Sequence, residues 1–223
     1  MSTLENAIDE LYAAFSSVPK PQNIDGCECC ADEDDLRRLL SYHVREIPPN
    51  VLSPYASSAL LTVGSVDDYL FFIPRILHVH MIDGSFWPSQ EITGRAIAKT
   101  NIPKWPESRR NALTTFFANV VRHSLHPDRH HQVDSWLCTI AHAGLSTAAY
   151  LSDVAKSEDA VLAYFNENAE ELPSRRLSNT FWELPNFGHE EIVDWFYSSS
   201  IRKIVFDAYG YQLPDSSLSL IHI

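Results

Sequence analysis

Apolar residues recur along this chain at intervals of three and four, the spacing that gathers side chains on one face of an α-helix. Leu4, Ile8, Leu11, Tyr12 and Phe15 form one such face, with Thr3 placed to cap it and Pro19 and Pro21 to stop it. Leu36, Leu39 and Leu40 predict a second helix over 32–43, with Asp32 as N-cap and Asp35 at the third helical position. Pro48-Pro49 reads as a break, followed by a short helix over 53–63 that Gly64 terminates. Ser65 opens the next helix, which carries Val66, Tyr69, Leu70, Phe72 and Ile73. Pro74 lies inside this pattern and predicts a kink or break before Arg75-Ile76-Leu77.

Further helices are expected over 89–99 and 106–125. The second is the longest, with Leu113, Phe116, Phe117, Val120 and Val121 inward. Residues 132–155 read as two short helices bent near Gly144, and Ser157 caps a helix over 158–172. Segments 177–183, 190–198 and 201–209 complete the set. No alternating strand pattern competes with it. The expected fold is therefore all-α: one multi-helix domain over 1–217, an orthogonal bundle or an irregular solenoid-like packing of helix pairs. A weak seam at 82–88 divides a cysteine-containing half from a Trp- and His-containing half.

Composition narrows the function classes. The chain has 223 residues, 45% hydrophobic, with a formal net charge of −12. That acidity argues against nucleic acid, whose phosphates need clustered Lys and Arg, and suits a basic protein partner. No apolar stretch is long enough to span a membrane; Pro74, Arg75, His78 and His80 break the best candidate. The first residues carry neither a basic region nor an apolar run, and four cysteines do not make a secreted disulfide framework. A reducing cytoplasm is the expected location. Leu218-Ser219-Leu220-Ile221-His222-Ile223 is the translation of CTGTCTCTTATACACATC, a transposon-end adapter used for sequencing libraries. The last six residues are therefore expected to be foreign, with the natural frame lost near Ser217.

The densest chemistry is Cys27-Glu28-Cys29-Cys30, with three of the four cysteines inside four residues. Cys27 and Cys29 can turn towards one ion, and Cys30 joins them only where the backbone folds back sharply. A tetrahedral zinc site needs two further ligands, for which His126 and His130 are the candidates, within a cluster that includes His123 and His131. Cys138 lies in an apolar helix and reads as a buried small hydrophobe. The turn's neighbours Asp25, Glu28, Asp32, Glu33, Asp34 and Asp35 disfavour a thiolate, so a bound cation is expected before a nucleophile. Phosphate loops, nucleophile elbows and zincin motifs are missing from the sequence. Arg75 stands within an apolar run and must be paired; Asp67 and Asp68 are the candidates on the preceding turn, with Asp68 the expected partner in a structural ion pair.

The turn Cys27-x-Cys29-Cys30, the stretch Leu36 to Leu40, the segment Tyr55-Ala56-Ser57-Ser58-Ala59-Leu60-Leu61-Thr62-Val63-Gly64, then Asp68 and Ile73-Pro74-Arg75-Ile76-Leu77 occur in that order. Together they resemble a family of bacterial cytoplasmic proteins of unknown function. The resemblance covers roughly residues 22–80, and His78 stands where that family usually has glutamate. It implies membership and no activity. The expected function is a non-enzymatic protein-binding scaffold, for example an immunity-type protein masking a basic toxin. The alternative is a metalloprotein using the cysteine turn with distant histidines.

Overall fold

The computed structural model describes residues 3–27, 32–211 and 213. Among these the chain is all-α, with eleven α-helices and no strand. They are α1 (Leu4–Phe15), α2 (Glu33–Ser41), α3 (Pro49–Ser58), α4 (Val66–Ile82), α5 (Gln90–Ala98) and α6 (Glu107–Ser124). Then follow α7 (Val133–His142), α8 (Ala148–Val154), α9 (Glu158–Asn168), α10 (Phe187–Phe196) and α11 (Ser199–Tyr209). No helix among the described residues is long and apolar enough to cross a membrane. The helices gather into two compact units, Met1–Asn119 and Val120–Ile223. The division falls within α6, whereas 82–88 lies inside the first unit.

Local signals place most of the helix starts. The Thr3 hydroxyl accepts from the Asn6 amide at 3.2 Å, and the Asp32 carboxylate from Asp34 at 2.7 Å. Ser65 and Asp68 form a reciprocal capping box. Ser157 accepts from Ala160. The Pro48-Pro49 pair does not delay α3: Pro49 is its first residue, a position whose N–H has no intrahelical partner anyway. α3 ends at Ser58, earlier than Gly64, in a turn where Leu60 takes φ 59°.

α4 is the core of the first unit and packs against α1, α3, α5 and the 3-10 turn Val44–Glu46. It runs unbroken through Pro74, so the expected break does not occur. An interior proline costs about 3 kcal/mol or more. Phe72, Ile73, Ile76, Leu77 and Val79 are all 0% exposed, and each such side chain contributes about 1.5–3 kcal/mol, so burial wins.

In the second unit α10 packs on α7, α8 and α11, while α9 packs on α11 and on the 3-10 turn Pro127–Gln132. Gly144, at φ 80°, separates α7 from α8. The expected helix over 177–183 is not formed; this stretch is irregular and precedes the cis Leu184-Pro185 bond. Its residues Asn179 and Trp182 reach instead to Asp134 on α7, which a regular helix there would not require.

Candidate functional site

The approach to the cysteine turn is fixed by the segment after α3. Gly26 bridges to Val63; the Cys27 amide donates to the Thr62 carbonyl at 3.0 Å, and the Gly64 amide to the Asp25 carbonyl at 2.7 Å. Gly64 takes φ 72°, and a Cβ there would lie 3.2 Å from the Tyr55 ring and hydroxyl. Two stretches far apart in the sequence, residues 25–27 and 62–64, thus meet in one place. The Cys27 side chain is exposed, and Cys29 and Cys30 lie outside the described residues. Cys138 is 0% exposed in α7, as expected of a small apolar residue.

The candidate histidine ligands are engaged elsewhere. His126 Nδ1 is 2.7 Å from the Asp128 carboxylate, and His130 Nε2 donates to the Leu125 carbonyl at 2.9 Å. Both sit at the 3-10 turn that follows α6, in the second unit, while Cys27 belongs to the first. Partial burial and the Arg129 charge push the His123 pKa down. Among the described residues, no group of three or more His, Cys, Asp or Glu is placed to hold a metal ion.

Arg75 is buried and paired, but not with Asp68. Its Nε and one terminal nitrogen donate to the Ile47 carbonyl at 2.9 and 2.7 Å. Its other terminal nitrogen lies 3.4 Å from His78 Nδ1, which is also 3.3 Å from the Tyr12 hydroxyl. The Asp68 carboxylate is committed to Ser65 at the start of α4. Burial and the Arg75 charge lower the pKa of His78, so a neutral ring accepts from both donors. Burial raises the Tyr12 pKa, against the pull of the Arg75 guanidinium.

Tyr12 is also a wall of a mainly apolar cleft in the first unit, about 450 Å³. α1 contributes Tyr12 and Phe15, the 42–45 segment Val44 and Arg45, and α4 Phe71 and Pro74. The Arg45 guanidinium lies 4.1 Å above the Tyr12 ring and 2.7 Å from the Asp9 carboxylate. Lys20, also in the lining, donates to the Tyr42 carbonyl at 3.1 Å. Nothing local in the sequence marks this cleft, because its walls come from three separate segments.

The second unit holds a polar cluster that the sequence reading missed. Asp134 is 6% exposed and accepts from Tyr164 at 2.6 Å, Asn179 at 2.7 Å and the Trp182 indole at 3.1 Å. The Trp182 ring stacks near His142, whose Nε2 donates to the Phe181 carbonyl at 2.9 Å. Burial and the Asp134 charge hold the Tyr164 pKa well above its usual value. Partial burial and the same charge push Glu167 up to about 7. No local signal marks Asp134, which follows His131-Gln132-Val133 and precedes Ser135 at the polar start of its helix. Its donors satisfy the carboxylate, so the cluster ties the irregular 177–183 stretch to α7.

Comparison of this chain with protein-family models, with characterised proteins and with solved structures finds no match.

Proposed function

We propose that this chain is a non-enzymatic protein-binding scaffold that masks a basic partner. The observation that carries this reading is where the charge lies. Among the described residues only Glu91 and Asp134 are buried acids, so nearly all of the excess behind the net charge of −12 faces solvent. Such a field raises the encounter rate with a cationic surface. α2 offers the densest part of it: Leu39 is its one buried residue, and Asp32, Glu33, Asp34 and Asp35 are exposed at its start. The pairs from Arg37 to Asp34 at 2.5 Å and Glu33 at 4.0 Å are exposed, and such pairs exchange readily for a partner's Lys or Arg. Membership of the bacterial family resembled by the cysteine turn and the Pro-Arg-Ile-Leu segment, with its cytoplasmic location, belongs to the same proposal.

Co-purification with the products of adjacent genes tests it. A basic partner is expected to bind and to be released as salt is raised. The triple variant Asp32→Lys, Glu33→Lys, Asp35→Lys is expected to weaken binding by about tenfold or more. Absence of any complex at low salt, or a complex indifferent to the triple reversal, argues against the reading.

A further inference from the structure

We propose that the cleft between α1, the 42–45 segment and α4 binds a small monocarboxylate carried on an apolar body. This stands independently of the partner-masking reading. At about 450 Å³ the cleft lies within the size range of small-molecule sites, and its walls are mainly apolar and aromatic. Its charge is opposite to that of the chain. Lys20 and Arg45 line it against a single acid, Asp9, which Arg45 already neutralises at 2.7 Å. Among the described residues, the hydrogen-bond acceptor of Lys20 is a backbone carbonyl, that of Tyr42.

A third cation lies directly behind the lining. Arg75 connects to Tyr12 in the cleft wall through His78 Nδ1, and its hydrogen-bond partners are a backbone carbonyl and a neutral imidazole. A guanidinium buried at 6% exposure among neutral acceptors is poorly compensated, and an anion in the cleft would supply the missing charge. Arg45, whose guanidinium carbon lies 4.1 Å from the centre of the Tyr12 ring, carries a planar fork that matches a carboxylate. The aromatic and aliphatic walls, Phe15, Val44, Phe71 and Pro74, take the ligand's apolar body. A cationic ligand would meet Lys20 and Arg45 instead, and a neutral one would leave Arg75 as it is.

Calorimetric titration with three isosteric probes tests this: 2-naphthylacetate, 2-naphthylacetamide and 2-(2-naphthyl)ethylamine. The acid is expected to bind about tenfold more tightly than the amide, the amine no better than the amide. Arg45→Met and Lys20→Met keep the aliphatic stems and are each expected to lower the acid's affinity about tenfold. Asp9→Asn removes the one acid of the lining and is expected to tighten the acid about threefold, a gain that misfolding cannot produce. The proposal is overturned if the acid does not bind, if amide or amine binds as well, or if Asp9→Asn weakens the acid.

Discussion

Gly188 sits in the first turn of α10 at the crossing with α7, where a side chain has no room. A Cβ there would fall 2.4 Å from the Ala141 Cβ and 3.4 Å from its Cα. Gly188→Ala is therefore expected to destabilise the protein by about 1–3 kcal/mol, the usual range for overpacking, as read by urea denaturation. Adding Ala141→Gly should recover most of that loss, because it removes the atom struck; no recovery would place the strain elsewhere. The sequence reading starts α10 only at Glu190. The structure starts α10 at Phe187, because the Asn186 side chain accepts from Gly188 at 2.9 Å and caps the helix there. Arg75 is a second case at this scale. That it needed a partner was legible from its apolar flanks. That the partner is the Ile47 carbonyl, 28 positions away, was not, since only the path of the chain brings that carbonyl near.

α8 shows how an element too short to stand alone is held. Seven residues are marginal for a helix in water, and the Thr147 side chain does not cap α8. Glu191 of α10 does this instead, accepting from the Ser146 hydroxyl at 2.7 Å, the Thr147 amide at 2.6 Å and the Thr147 hydroxyl at 2.7 Å. Partial burial pushes the Glu191 pKa up, but these donors outweigh it and hold it below the usual value. Glu191→Gln should cost about 1–2 kcal/mol at neutral pH, measured by chemical denaturation. A lowered folded-state pKa means the stabilisation is present above the unfolded value of 4.5 and is lost as pH falls through the folded one. The difference between Glu191→Gln and the parent should therefore narrow in acid; a difference that stays constant would show that the charge is not what acts. α4 carries the contrasting lesson. Pro74 looked like a break because proline's local penalty is visible in sequence, while the burial that overrides it is not.

For the whole molecule, buried histidines set the response to acid. Burial lowers the His80 pKa to about 3, where it shares a 2.9 Å hydrogen bond with Thr93. Burial also lowers His78 and His189 below the usual histidine value of 6.5. Below that value the unfolded chain takes up protons that the folded one refuses, so stability falls as pH falls from 6.5 towards 3. Each such group contributes at most about 1.4 kcal/mol per pH unit. Glu167 works in the opposite sense: raised to about 7, it favours the folded state as pH drops from 7 towards 4.5. It is exposed, so it offsets only part of the histidine effect. The melting temperature is expected to fall between about pH 7.5 and about pH 5, and His80→Asn should flatten the profile. A melting temperature that holds or rises over that interval would contradict the assignment.

The sequence by itself determined the helical class, most helix positions and several caps, because these depend on contacts three and four residues apart. Thr3, Asp32, Ser65 and Ser157 act where the sequence places them. The tertiary structure alone decided which distant groups meet. It pinned the approach to the cysteine turn against 62–64, gave Arg75 a carbonyl in place of Asp68, and drew 177–183 out of helix towards Asp134. It also assembled the cationic cleft from α1, 42–45 and α4. These are long-range choices, settled by burial and by satisfying buried polar groups, and no local periodicity encodes them.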